Sequence, residues 1–180
     1  MSQSPNVSAL IQLASDIHKN KPPETILKSL KNTVAALFGY SLFTVLVYDA
    51  KSSTISRIYS TRQDVQPVGA RKKVTSSPWA QLVLKDGRMY LGSTIEDMKV
   101  FSEYEFLATI GCESVLNVPI RSSLSGEIIG ALALLGEPHK YDDADQGLAV
   151  LVAVLVAGVV EASRDEILSR PFDSAKMETV

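Results

Sequence analysis

Apolar residues recur at helical spacing near the start of the chain and as extended runs through its middle. Val7, Leu10, Ile11, Ala14 and Ile17 follow Ser4-Pro5, an N-cap residue and a proline suited to the first helical position. They predict an amphipathic first helix. Asn20-Lys21-Pro22-Pro23 ends it. Ile26, Leu27, Leu30, Val34, Leu37 and Phe38 then mark the stripe of a second helix, with Gly39 placed as its C-cap. Leu42–Tyr48 is rich in β-branched and aromatic residues and reads as a strand. Asp49–Ser53 is a polar turn, and Thr54–Ser60 returns as the second strand of a hairpin. Thr61–Val74 is polar and basic, with Pro67 and Gly69, and reads as a loop with a short extended piece.

Ser77-Pro78-Trp79 opens a further helix that Asp86-Gly87 ends, and Arg88–Gly92 is a short strand. Ser93 with Glu96 and Ser102 with Glu105 form capping-box patterns, which imply two short helices, the second closing at Gly111. An apolar strand then runs to Pro119, a turn spans Ser122–Gly126, and a second apolar strand carries Gly130. The acidic stretch Tyr141-Asp142-Asp143-Ala144-Asp145 precedes a helical run with no polar side chain from Leu148 to Val160. After Arg164 the chain turns polar, with Pro171 and no apolar period, and reads as a flexible tail.

The order is therefore α-α-β-β-α-β-α-α-β-β-α. Strand pairs joined by tight turns make the fold α+β around a central antiparallel sheet. The long helices, the first two and the last, can cover one face. The short ones must roof the other less completely, and a partly covered sheet face suits a small-molecule cavity. The Leu148–Val160 helix is apolar all round, so a second face also needs cover. Either the first helix supplies all of it, or a second copy of the chain completes it as a two-fold dimer.

Composition narrows the classes. At 180 residues, with 46% apolar and 21% charged residues and a formal net charge of -2, the chain is sized for one soluble domain. No basic excess points to nucleic acid or to an anionic membrane. The N-terminus lacks a basic region followed by an apolar stretch, and Leu148–Val160 is shorter than the roughly 20 residues that cross a bilayer, so the protein is expected to be cytoplasmic. One cysteine and two histidines far apart leave no intrachain disulfide and no metal-ligand pattern, and no cofactor motif is present.

Ser114 through Pro119-Ile120, Gly130-Ala131-Leu132, and Tyr141 with Asp145 before the last helix resemble, in order and spacing, the C-terminal half of a GAF domain. The resemblance extends over residues 22–163, leaving 1–21 as a helix suited to dimerisation and 164–180 as the tail. It implies a GAF-like (profilin/PAS-like) sheet of five or six antiparallel strands, with the first and last helices on one side and a ligand pocket on the other. It also implies a sensory role without catalysis, homodimers through the terminal helices, and an output passed to a separate protein. The alternatives are an interaction module with a vestigial pocket and an enzyme like the free methionine-(R)-sulfoxide reductases, which also resemble GAF domains. Those use several cysteines, a glutamate four residues before the strand proline and an aspartate in the next strand. Here Val115 holds the first position and Gly130–Leu135 contains no acid. A cyclic-nucleotide signature cannot be traced. Cys112 is followed by Glu113 rather than by the histidine usual at bilin attachment sites.

Candidate pocket residues are Tyr59, Trp79, Tyr90, Phe101, Tyr104, Cys112 and Asn117. Trp79, Tyr90, Phe101 and Tyr104, with Phe106, fall where a roof is needed and suit a planar or apolar ligand, or else simply fill the space. Trp79, as a pocket wall, is expected to be dispensable for folding. Asn117 is polar within an apolar strand. If it points inward it must hydrogen-bond something, a ligand or the backbone. Cys112 is either a reactive thiol or, as lone cysteines usually are, a small buried hydrophobe. His18 and His139 read as surface or cap residues, with haem ligation the alternative. Arg57, Arg62, Arg71, Lys72 and Lys73 form either a receptor for an anionic group or a solvated basic loop.

Overall fold

The computed structural model describes residues 4–69, 71–169 and 178–179. In chain order the elements are α1 (Pro5–His18), α2 (Pro23–Leu37), β1 (Leu42–Asp49), β2 (Thr54–Ser60) and β3 (Arg71–Lys73). A π-helical segment (Ala80–Lys85), β4 (Tyr90–Gly92), α3 (Ile95–Met98) and α4 (Tyr104–Thr109) follow. The chain continues through β5 (Ser114–Arg121), β6 (Ile128–Gly136), α5 (Gln146–Ser169) and β7 (Glu178–Thr179). One sheet runs in the order β4-β5-β6-β1-β2-β3-β7. Every pair is antiparallel except β3 with the two-residue β7. The α+β reading and the helix division are thus borne out.

Side chains alternate between the two sides of the sheet along β1 and β5. Phe43, Val45 and Val47 of β1, and Leu116, Val118 and Ile120 of β5, enter one core with Leu13, Ile26, Leu30 and Val34 of the first two helices. From α5 that core takes Ala149, Val152, Ala153, Val156, Ala157 and Val160. Polar pins fix α1 on α2: Ser29 donates to Asp16, and the Thr33 hydroxyl donates to the carbonyl of Ala9 at 3.0 Å. Leu42, Val115, Ala133 and Leu135 face the other side, where the short elements lie.

Local signals worked with small displacements. Ser4 caps α1 by accepting from the Val7 amide, and Asp145 receives the Leu148 amide at 3.0 Å where α5 begins. The first capping box forms one residue later than expected, between Thr94 and Asp97, while α4 has no side-chain cap. The expected ordinary helix after Trp79 is the π-helical segment.

The larger difference is at the C-terminal end. The expected tail from residue 164 begins inside α5, which continues to Ser169. Ile167 packs against the core, Arg164 pairs with Asp49 at 3.6 Å, and one turn earlier Glu161 accepts from Ser122 at 2.7 Å. These contacts hold the helix beyond its apolar run. Residues 170–177 and 180 of that expected tail lie outside the described residues. At 24 residues and a mean hydropathy of 2.0 over its most apolar stretch, α5 is long and apolar enough to cross a membrane by length and composition. One face nonetheless forms the core with the sheet.

Gly130 shows how closely β6 meets β1. A Cβ there would sit 2.1 Å from the carbonyl oxygen of Leu46, a backbone atom that cannot swing away. Gly130→Ala is expected to lower stability by about 2–3 kcal/mol, the upper part of the range for overpacking. Denaturant unfolding measures it, and a loss below about 0.5 kcal/mol, the scale of neutral surface changes, would contradict the close approach.

Candidate ligand pocket

On the face away from the long helices the short elements leave a cavity of ≈ 90 Å³. Its sheet side consists of Thr44 and Leu46 of β1, Val115 and Asn117 of β5, Ala133 and Leu135 of β6, and Ile55 and Arg57 of β2. Lys72 of β3 and Gln66 of the preceding loop close one side, and Trp79, Phe101, Ser102, Glu103 and Leu107 close the other. Sites for drug-sized ligands hold roughly 300–1,000 Å³. This one fits a compact molecule or a few waters.

Trp79 and Asn117 define the deep end. Asn117 is 1% exposed and Trp79 3% exposed, and the indole N–H donates to the Asn117 side-chain oxygen. The inward-pointing Asn117 is therefore satisfied by another side chain. Trp79 stands at the start of the π-helical segment, whose wider turn appears in the bond from the Asp86 amide to the Gln81 carbonyl, 2.9 Å. Phe101 packs edge-on against Trp79 at 5.9 Å between ring centroids. Tyr90 packs against Phe101 in turn, at 6.2 Å, and donates its hydroxyl to the Asp97 carbonyl at 2.7 Å.

Not every expected wall residue is one. Tyr90 supports Phe101 from behind and does not line the cavity. Tyr104 half-buries its ring against the neighbouring core cluster and turns its hydroxyl outward to Glu105 at 3.1 Å, while Phe106 is exposed. Tyr59 lies on the opposite face, 5.9 Å from Phe43 between ring centroids. The cause is a bulge. Val45 pairs with Tyr59 but Leu46 pairs with Arg57, so Ile58 is an extra residue that reverses the alternation. Cys112 is fully buried among Leu42, Met98 and Leu107, off the cavity, and burial pushes its thiol up to about 11. It packs as a small hydrophobe. His139 is exposed and pairs with Asp142 at 2.8 Å.

The basic cluster divides. Arg62 pairs with Asp64, Arg71 donates to Thr54 and Lys73 is exposed, whereas Arg57 and Lys72 enter the cavity wall. Facing them is Glu103, which had no distinguishing mark in the sequence. Lys72 Nζ lies 2.6 Å from Glu103 Oε1, and Gln66 donates to Oε2 at 3.4 Å. Burial raises the Glu103 pKa, but Lys72, Gln66 and Arg57 outweigh it and hold the carboxyl below its ordinary value. Burial pulls the Arg57 guanidinium down, Glu103 opposing. Among the described residues no group of three or more side chains is arranged to hold a metal.

The family model for the GAF domain matches residues 20–161. The chain belongs to the GAF domain family. Solved structures agree on the fold. The GAF domain of an Acinetobacter phosphoenolpyruvate-protein phosphotransferase superposes with a TM-score of 0.70 at 16% identity, over 92% of this chain and 98% of that one. A free methionine-R-sulfoxide reductase from Neisseria meningitidis, solved with its substrate, gives 0.63 at 19% identity, over 92% and 95%. The phycoerythrobilin-bound GAF domain of a cyanobacterial phytochrome gives 0.62 at 15%, over 88% and 98%. No curated protein matches at the level of sequence. GAF domains are mostly sensory modules for small molecules, and the reductase carries its activity on the same fold.

Because Trp79 belongs to a buried cluster with Ala80, Val83 and Leu84, it is part of the core as well as a wall. Truncation to Ala is therefore expected to cost about 3–5 kcal/mol, more than a residue that only lines a wall would. Trp79→Phe isolates the polar contact. It should leave Asn117 unsatisfied and lower stability by about 1–3 kcal/mol. In Asn117→Leu, where that acceptor is gone, the Trp79→Phe step should cost measurably less. Equal costs in the two backgrounds, by denaturant unfolding, would show that the hydrogen bond contributes nothing.

Proposed function

We propose that this GAF domain is a cytoplasmic, non-catalytic sensor that binds a small molecule in the sheet-face cavity and signals through α1 and α5 to a separate output protein. The observation that carries the reading is the make-up of the cavity. A rigid sheet floor is closed by two chain segments, around Gln66 and around Phe101–Glu103, that meet each other through side chains. Binding would order the Thr61–Val74 and Thr94–Tyr104 segments against the sheet, and the sheet would pass the shift to the helices on its other face. Against a reductase-like activity stand the single buried thiol outside the cavity and apolar Val115 and Ala133 in its wall.

The helical side suits self-association. Val154 is 64% exposed, with Val150 at 46% and Leu151 at 43% beside it on α5, and Val7 and Ile11 are exposed on α1. Only 33% of the most apolar stretch of α5 is buried within the chain. A homodimer through α1 and α5 covers that surface and gives the signal a route between subunits.

Thermal unfolding against cyclic nucleotides, aromatic acids, amino acids and methionine sulfoxide tests the sensor. A compound at 100 times its dissociation constant adds about 2.7 kcal/mol, a rise of a few degrees at this size. One chemical class should give that rise. A flat response to all of them would replace the sensor with a dimerisation module whose pocket is vestigial. For the dimer, Val154→Lys should convert the protein to a monomer in light scattering while keeping its circular dichroism. A wild-type protein that is monomeric at micromolar concentration would remove the dimer.

A further inference from the structure

Thr44, Ala133 and Asn117 form one row across the sheet side of the cavity. Ala133 pairs with Thr44 of β1 on one edge of β6 and with Asn117 of β5 on the other, and all three line the space. Neighbouring strands lie about 4.8 Å apart, so Thr44 and Asn117 stand roughly 10 Å apart at their Cα atoms, with a single methyl group between them. Both residues are 1% exposed. The Trp79 indole occupies the side-chain oxygen of Asn117. Among the described residues the Asn117 amide nitrogen and the Thr44 hydroxyl have no hydrogen-bond partner, yet neither atom is sealed off from accessible space. The space these residues line is the cavity, so an N–H donor and a hydroxyl face it from either side of Ala133. Polar side-chain atoms at this depth are nearly always bonded, and a ligand that bonds both would remove the cost of leaving them open.

The donor set narrows the ligand. With its oxygen taken, Asn117 offers donors alone, so the ligand must bring an acceptor there, while the Thr44 hydroxyl both donates and accepts. The charged groups at the mouth are engaged with protein groups: Lys72 with Glu103 at 2.6 Å, and Arg57 with the Pro67 carbonyl at 3.2 Å. Leu46, Leu107, Val115 and Leu135 make the remaining inner lining apolar, where a charged ligand would lose its hydration. A neutral carbonyl with an adjoining N–H meets the donor and the hydroxyl together. An apolar cavity of about 150 Å³ takes benzene, so ≈ 90 Å³ limits the ligand to about six non-hydrogen atoms. Resting on the pocket reading above, we propose that the cavity takes a compact neutral amide or lactam. Its carbonyl oxygen accepts from the Asn117 side-chain amide, its N–H donates to the Thr44 hydroxyl, and its carbon body lies against Ala133, Trp79 and Phe101.

Trp79 is the single tryptophan of the chain, so its indole N–H signal in nuclear magnetic resonance reports on this cavity. Titration of the full chain with 2-pyrrolidinone, with cyclopentanone, which lacks the N–H, and with pyrrolidine, which lacks the carbonyl, tests the proposal. The lactam should shift the indole signal and bind several-fold tighter than the ketone, and the amine should not bind. Thr44→Val should abolish the preference for the lactam and should melt no lower than wild type, because the hydroxyl has no partner to lose. Asn117→Leu, checked for folding by circular dichroism, should lose both carbonyl compounds. A Thr44→Val protein that melts several degrees lower would overturn the open hydroxyl. Lactam and ketone binding equally to wild type, an unchanged preference in Thr44→Val, binding of the amine, or carbonyl binding retained in Asn117→Leu would each overturn the amide assignment while leaving a small-molecule pocket. Silence from all three rings, with a compound from the wider panel still moving the indole signal, would do the same. An indole signal that no compound moves would overturn the pocket reading as well and leave a site for water only.

Discussion

Every residue of β6 is buried, and most of the molecule follows from the need to cover that strand on both sides. It lies between β1 and β5 with ladders on each edge, so its backbone groups are satisfied within the sheet. Its side chains alternate between two apolar layers, and a long apolar strand left open on either side would be a liability in water. One layer is closed by three long helices that fit together. The other is closed by short elements that cannot tile a twisted sheet without a gap. The cavity is that gap, and its position over β1, β5 and β6 follows from which helices are short.

The polar groups at the gap fall into two kinds. Asn117 and Trp79 satisfy each other deep inside and rigidify the wall. Arg57, Lys72, Glu103 and Gln66 meet at the rim, where Glu103 is 41% exposed and Lys72 only 15%. A site that is firm at its inner end and partly open at its mouth can hold an apolar body in one orientation.

Much of the fold was legible along the chain because its signals are local. The limits of β2 follow from the polar turn before Thr54 and the loop after Ser60, and Gly130 fell in the strand where backbones approach. Features that depend on partners distant in sequence were not legible. Nothing around Ile58 marks a bulge, so the sequence offered no sign that Tyr59 faces away from the pocket. The last helix looked finished at Arg164 because the contacts of Arg164 with Asp49 and of Ile167 with the core are tertiary. At the site, Trp79, Phe101 and Asn117 stood out as aromatic or polar residues where roof and strand were expected. Arg57 and Lys72 could not be separated from their solvated neighbours until the sheet register chose them. Glu103 lies among other acidic residues, and only its approach to Lys72 distinguishes it.

The shortness of β3 has a consequence of its own. Lys72 sits in a strand of three residues near the margin of the sheet, paired on one side with β2 and on the other with the two-residue β7. Such a strand opens at a free energy well below that of global unfolding, because few ladder bonds and few apolar contacts are lost when it departs. Lys72 therefore belongs to a short marginal strand, while Asn117 lies in β5, paired on both edges. A molecule bridging them would join two regions that otherwise fluctuate independently, and the suppressed local opening of β3, more than any movement of the core, would be its signature.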